Sequence, residues 1–306
     1  HIVSRRQRQM CIRDRPMNLE KMHVMVERAC SNLAGVSASQ VEMQSGIQFY
    51  NGITTDEIQN ILIKSASDLI SLEQPNYQYV AARLLLFSLR KSLYGKIFEI
   101  PHLKDHIDKC VESGVYDPAV NDKFTIGEIN ELEKYLDHDR DYLFTYAGLR
   151  QVADKYLVQD RSSGQVYETP QFMYMLIAMT MFAEYDRGTR LNYIKRYYDA
   201  ISKHKINIPT PIMGGVRTPI RQFASCVLVD IDDTLDSIFT SDMAVGRYVA
   251  QRAGIGINAG RIRGINSKIR GGEVQHTGVI PFLKKFEATV RSVSYTHLRA
   301  HETGSY

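Results

Sequence analysis

At 306 residues with 44% hydrophobic content, the chain is long enough for one large domain or two to three smaller ones with a sizeable core. No run reaches the ~18 apolar residues of a membrane span, and the start lacks the apolar core of an export signal, so neither membrane insertion nor export is expected. The net charge of +4 sits in residues 1–16, where Arg5, Arg6, Arg8, Arg13 and Arg15 face only Asp14, so the near-neutral interior offers no basic face for a nucleic-acid backbone. Four cysteines, Cys11, Cys30, Cys110 and Cys226, stand far apart without a CxxC pair. That spacing indicates neither a zinc site nor a disulfide framework and suits a reducing cytoplasm.

In chain order the first signals are helical. Asn18 can cap a helix whose apolar positions Met22, Met25, Val26, Ala29 and Leu33 recur at three and four. A second helix is predicted near Ser39–Phe49, and Asn51-Gly52 marks a turn. Thr55-Asp56-Glu57 opens a third helix, with Ile58, Ile61, Leu62, Ala66 and Leu69 on one side. Pro75 reads as a first-turn proline of a fourth helix that buries Tyr79, Ala82, Leu86, Leu89 and Leu93 and ends near Gly95. By itself this unit reads as a four-helix packing domain.

Residues 96–208 read as mostly helical with one hairpin. Leu103–Gly114 and Thr125–His138 are amphipathic, the second opened by Thr125 and Glu128 in capping-box spacing. Tyr156–Val158 and Val166–Tyr167 flank a polar turn as a β-hairpin. Pro170–Glu184, apolar on nearly all sides and rich in methionine, is expected as a buried helix rather than a cofactor box. Thr189–Lys203 should place Arg190, Lys195 and Arg196 outside and Leu191, Ile194 and Tyr198 inside. His138-Asp139-Arg140-Asp141 has no standard metal-ligand spacing and reads as a solvated helix end.

After Pro209 the pattern changes to strand–helix–strand, which signals a parallel α/β arrangement. Three blocks stand out. Residues 209–219 contain three prolines and two adjacent glycines and read as a loop. Phe223–Val229 is a short apolar run with a Ser-Cys step, expected as a strand buried on both faces. Gln251–Arg263 carries Gly254, Gly256 and Gly260 among β-formers, where a missing Cβ lets a ligand or backbone come close. Between the strands, Asp232-Asp233-Thr234 ends the first, and Thr234 or Asp236 can cap a helix to about Arg252. Gly260–Gly272 is read as an irregular loop and Pro281–Val293 as a further helix.

These blocks, followed by Ile269-Arg270-Gly271-Gly272-Glu273, resemble the start of the catalytic barrel in the large subunit of class I ribonucleotide reductase, and the resemblance runs from about Met17 to about Ser294. It implies an α plus α/β architecture: an ATP-cone-like regulatory domain over 17–95, a helical domain over 96–208, and the first strands and helices of an incomplete α/β barrel over 209–294. Residues 1–16 do not match the β-hairpin that opens the family, and 295–306 leave the family pattern. Both are read as non-native flanks.

The resemblance also assigns roles. Cys226 corresponds to one of two cysteines that deliver electrons to the nucleotide sugar and finish as a disulfide, reduced again by thioredoxin or glutaredoxin. By residue type alone it reads equally as a buried, inert thiol. Thr210, Ser225 and Gly254 match substrate contacts, and Asp233, Arg263 and Arg270 match a specificity-setting nucleotide site at a homodimer interface formed by the helix after Asp233. A carboxylate can accept from a deoxyribose hydroxyl while guanidinium groups grip phosphates. Asn18, Leu19, Glu20, Lys21, Thr55 and Lys91 match the adenine-nucleotide positions of the ATP-cone, with lysines and a helix start suited to a polyphosphate. The effectors implied are ATP, dATP or other deoxynucleotides, and the substrate a ribonucleoside diphosphate. No cofactor or metal is expected on this chain, and a di-iron tyrosyl radical is expected on a partner small subunit. The remaining catalytic residues of the family lie beyond the matched stretch, so the chain as given is expected to show no turnover. The competing class is a non-catalytic nucleotide-binding regulator. A cobalamin-dependent relative shares the Ser-Cys strand, but the helical stretch favours the iron-dependent class.

Overall fold

The computed structural model describes residues 18–160, 163–220, 222–251 and 253–297. The expected flank 1–16 and most of 295–306 lie outside those residues, as do Arg161 and Ser162 in the predicted hairpin turn and Arg252.

Among the described residues, four helices make the first unit: α1 (Leu19–Cys30), α2 (Ala38–Gly46), α3 (Thr55–Asp68) and α4 (Tyr77–Tyr94). Local chemistry sets their ends. The Asn18 side chain accepts from the Lys21 N–H at 2.9 Å. Thr54, one residue before the expected start, caps α3 in a full capping box with Glu57. Gly95 closes α4 at φ 73°, a conformation that costs a glycine little. Two expectations need correction. The second helix stops at Gly46, and Pro75 precedes α4 by a turn residue instead of sitting inside it.

The larger correction concerns which side of α4 is buried. Tyr77, Val80, Ala81, Leu84 and Phe87 pack into the core of the first unit, while Ala82 and Leu86 belong to the core of the next. Tyr79, Leu89 and Leu93 are only partly covered. One helix therefore lies in two cores, and a single apolar face could not serve both.

The second unit comprises α5 (Leu103–Glu112), α6 (Ala119–Lys123), α7 (Ile126–Glu133), a 3-10 helix (His138–Leu143), α8 (Tyr146–Lys155), the hairpin β1 (Gln159–Asp160) and β2 (Gln165–Val166), α9 (Pro170–Met181) and α10 (Arg190–Ser202). The Thr125–Glu128 capping box forms as expected, but α7 ends five residues earlier than predicted. Asp137 accepts the Asp139 N–H at 3.1 Å and starts the 3-10 turn. Asp141, expected on a solvated end, is instead 1% exposed and paired with Arg90 of α4 at 3.0 Å. α9 is buried from Pro170 through Met179, as its composition indicates. Arg190, expected outside, is 3% exposed; its guanidinium pairs with Glu128 and donates to the Lys123 and Ala183 carbonyls. Periodicity marks that position polar, but the carboxylate and carbonyls that make its burial tolerable come from elsewhere in the chain.

The helix α11 (Thr210–Gly215) forms where a loop was expected and, with Met213 in the core of the second unit, belongs to that unit rather than to the start of the third. Pro209 occupies the N-cap and Pro211 the first turn, positions whose missing N–H groups would have no helical partner anyway. In the third unit, parallel strands β3 (Cys226–Asp230) and β4 (Gly254–Asn258) follow, joined by the crossover helix α12 (Leu235–Ala250), whose N-cap Thr234 accepts from the Ser237 N–H. The predicted loop contains part of a small hairpin, β5 (Lys268–Ile269) with β6 (Val274–Gln275), and α13 (Ile280–His297) completes the unit. Ile231, Ile238, Ile262 and Phe286 form its core.

β3 is not buried on both faces. Its residues alternate exposed and half-buried, and Leu228 is 88% exposed. Among the described residues the strand pairs only with β4, so the apolar run that signals a central strand has one neighbour. No helix among the described residues is long and apolar enough to cross a membrane.

Candidate functional site

The register of β3 on β4 places Cys226 opposite Gly254. The Gly254 N–H donates to the Ser225 carbonyl at 2.8 Å, and a Cβ added to Gly254 would lie 3.4 Å from that oxygen. That is close to an ordinary contact, so the neighbouring backbone does not by itself require glycine at 254. Ser225 Oγ lies 3.8 Å from Cys226 Sγ, and Ser225, Cys226 and Gly254 are all exposed. Three of the four expected thiol-site residues thus meet at the N-terminal ends of two parallel strands.

Thr210 is placed differently. It is the first residue of α11, exposed, and its hydroxyl lies 3.4 Å from that of Tyr156. The far end of α11 approaches the strand lead-in, because a Cβ on Gly215 would sit 3.8 Å from the Phe223 ring. What fixes α11 is Arg217, 0% exposed, to which nothing in its local sequence assigns a role. Its Nε donates to Glu168 Oε2 at 2.8 Å, Nη1 to the Met213 carbonyl at 2.6 Å and Nη2 to the Tyr156 carbonyl at 2.9 Å. Glu168, also 0% exposed, further accepts from the Val158 N–H and the Tyr116 hydroxyl. Arg217 therefore holds both ends of the Tyr156–Thr210 contact. A sequence signal existed in a lone arginine between glycines and a proline, but its partner lies 49 residues away.

At the other ends of the strands stands the second group. Asp233 Oδ1 accepts the Arg263 N–H at 3.0 Å, and Oδ2 accepts Arg263 Nε at 2.6 Å. That backbone N–H, helped by the guanidinium, holds the Asp233 carboxyl below the usual carboxylate range. Arg263 also reaches the Lys268 carbonyl at 3.5 Å. Arg270, exposed and at φ 47°, begins three consecutive left-handed residues with Gly271 and Gly272 and does not join the Asp233–Arg263 pair. Arg261 bridges Asp230 at 2.9 Å and Asp232 at 2.7 Å, partners 31 and 29 residues away that no local pattern signals. The two groups lie beyond opposite ends of one five-residue strand about 13 Å long at ~3.3 Å per residue.

The third group is spread over three helices of the first unit. Arg83 in mid-α4 donates to the Ala29 and Ser31 carbonyls, and Asn76 before α4 donates to Ala34. α1 therefore runs antiparallel to α4, with Asn18, Leu19, Glu20 and Lys21 toward the Lys91 end. Gln59 donates to the Leu84 carbonyl at 3.1 Å, which carries Thr55, one turn earlier on α3, toward that same end. Asn18–Lys21, Thr55 and Lys91 are all exposed there. Next to Lys91, Arg90 is buried and bonds His138 and Asp141, so this end of α4 is fastened to the second unit.

Comparison with known proteins gives three domains in the same order, with α11 on the all-alpha side. Residues 13–92 match the ATP cone domain, residues 142–221 the all-alpha domain of ribonucleotide reductase and residues 224–300 its barrel domain. The chain is 53% identical over 283 residues to ribonucleoside-diphosphate reductase 1 subunit alpha of Escherichia coli K12, covering 92% of this chain and 37% of that one. The subunit alpha of Haemophilus influenzae is 52% identical with the same coverage. That of enterobacteria phage T4 is 47% identical over 274 residues, covering 89% of this chain and 36% of that one. The chain thus spans little more than a third of the length of these relatives. On the order of its three matched domains and this identity, the chain belongs to the class I ribonucleotide reductase large-subunit family.

Proposed function

We propose that this chain supplies the nucleotide-responsive part and one redox thiol of an enzyme that reduces ribonucleoside diphosphates to deoxyribonucleoside diphosphates. The observation that carries the reading is the exposed Cys226 in register with Gly254, beside Ser225. The overall change removes the sugar 2′-hydroxyl as water. Two thiols supply two electrons and two hydrogens and end as one disulfide, with Cys226 one of the pair and the second thiol outside this chain. Thiol–disulfide exchange with thioredoxin or glutaredoxin restores both. Thr210, Ser225 and Gly254 hold substrate, and a radical-generating small subunit is the partner this chemistry requires.

An exchange-active thiol has to be reachable and ionisable. Burial pushes Cys30 up to about 11 and Cys110 up to about 12, whereas Cys226 is exposed. Iodoacetamide should therefore label Cys226 about tenfold or more faster than Cys30 or Cys110. Equal rates read by peptide mass spectrometry would remove the basis of the assignment.

Nucleotide control divides between two sites in this reading. Asn18–Lys21, Thr55 and Lys91 take ATP or dATP, and Asp233, Arg263 and Arg270 take a deoxynucleoside triphosphate or ATP beside the dimer contact. Leu235, Phe239 and Met243, exposed at successive turns of α12, are the apolar stripe a second copy would cover. Calorimetric titration of the native chain should show two classes of site. Loss of one charge-assisted contact, worth ~1.5–3 kcal/mol, should weaken one class tenfold or more in Lys91→Ala and the other in Arg263→Ala. Light scattering during the titration should show dimers that Phe239→Asp abolishes. Both variants weakening the same class, or neither weakening any, would refute the division.

A further inference from the structure

The hydroxyls of Tyr156 and Thr210 lie 3.4 Å apart, the first half-exposed and the second exposed. That is the long limit of a hydrogen bond, so both protons can turn onto one shared acceptor. Buried Arg217 presets the pair through the backbone, donating to the Tyr156 carbonyl at 2.9 Å and to the Met213 carbonyl of α11 at 2.6 Å. A ligand therefore has little left to order there.

The charges around the pair favour an anion. The Thr210 hydroxyl, then Gln151 and the Lys155 charge, hold the Tyr156 phenol below its usual range. Lys155 is exposed and, among the described residues, paired with no carboxylate. Asp154, beside it in the chain, is taken by Arg150 at 3.0 Å. α8 ends at Lys155, and bare carbonyls at a helix end would repel an anion. These are occupied: the Val152 carbonyl accepts the Tyr156 and Leu157 N–H groups, Gln159 Nε2 donates to the Ala153 and Asp154 carbonyls, and Arg217 takes that of Tyr156. Two hydroxyl donors and an ammonium suit a ligand with several anionic oxygens. We propose that Tyr156 and Lys155 complete, with Thr210, the seat of the substrate's diphosphate, leaving the sugar to Cys226, Ser225 and Gly254. This rests on the reading in which Thr210 touches a ribonucleoside diphosphate. Its placement apart from the other three then matches a substrate held at two ends.

Cytidine diphosphate and cytidine are the probes, titrated calorimetrically into the native chain with ATP present throughout to occupy the effector positions. The diphosphate should bind at least tenfold more tightly than the nucleoside. Tyr156→Phe keeps the ring and the carbonyl that Arg217 holds, and removes only the hydroxyl. It should weaken the diphosphate about tenfold, the loss of one hydrogen bond to a charged group, and leave cytidine unchanged. Thr210→Val should do the same. Should Tyr156→Phe not fold, Lys155→Gln, at an exposed position, must weaken the diphosphate at least threefold and flatten its dependence on salt. Weakening by Thr210→Val with native affinity in Tyr156→Phe or Lys155→Gln would overturn the proposal and leave the reading of Thr210 standing. Equal losses for the diphosphate and cytidine in Tyr156→Phe would also overturn it, since the hydroxyl would then only shape the fold. Absence of saturable diphosphate binding to the native chain, or native affinity in Thr210→Val, would remove the reading and the proposal together.

Discussion

Replacing Glu168 with leucine should destabilise the chain by about 3–5 kcal/mol, the usual result of leaving one partner of a buried ion pair alone. Arg217 would keep its bonds to the Met213 and Tyr156 carbonyls, but its charge would lie fully buried without a counter-ion. Val158 and Tyr116 would each lose an acceptor as well. Against a total stability of ~5–15 kcal/mol, that is a large fraction. Urea unfolding followed by far-UV circular dichroism gives the number. The double replacement Glu168→Leu with Arg217→Met should recover most of the loss, since apolar groups of similar volume satisfy the same space without desolvating a charge. A single-variant loss under ~1 kcal/mol would mean that water reaches the pair and that the site is not closed. Loss of the anchor should also free α11, and with it Thr210, from Tyr156.

Acid should begin to destabilise the second unit before its surface carboxylates titrate. His106 stacks on Phe172 at 4.0 Å and shares a 3.0 Å hydrogen bond with Tyr116, while His138 meets the edge of the same Phe172 ring. Burial, with Lys109 and Arg217 nearby, lowers His106 to about 3. Burial, with Arg90 and His106 nearby, lowers His138 to about 4. Both folded values lie below the ordinary ~6.5, so the unfolded chain takes up protons first. The stabilisation is complete above about pH 6.5 and is lost as pH falls toward 4 for His138 and 3 for His106. Between pH 6.5 and 5 each histidine should contribute a loss on the order of 2 kcal/mol, at 1.36 kcal/mol per unit. Asp141, whose carboxyl burial pushes upward, works in the opposite sense, so variants separate the contributions. Stability measured in urea at a series of pH values should show each of His106→Gln and His138→Gln reducing proton uptake on unfolding by about one near pH 5. A slope unchanged by either variant would place both imidazoles in contact with solvent.

Much of this architecture was legible one helix at a time. Asn18, the Thr125–Glu128 pair, Gly95 and Thr234 set helix ends through bonds spanning three or four residues, which a linear reading can see. Continuous apolar character was enough to bury α9. The order of motifs was enough to pair β3 with β4 in parallel and to bring Ser225, Cys226 and Gly254 together. Where the reading failed, the deciding partner was distant. Arg190 reads as surface until Glu128 and two carbonyls surround it, and Asp141 reads as a solvated end until Arg90 reaches it from α4. The apolar run of β3 looks like a strand covered on both faces, yet exposure depends on how many layers adjoin it.

Sequence by itself therefore determined the local grammar of this protein: helix limits, the buried methionine-rich helix, the strand–helix–strand unit and the residue types at each site. Tertiary structure alone decided that α4 serves two cores and that Arg217 and Glu168 anchor the Thr210 helix. The physical reason is that backbone capping and periodicity are satisfied within a turn or two, whereas a buried charge is tolerable only where a counter-charge and acceptors converge from remote parts of the chain.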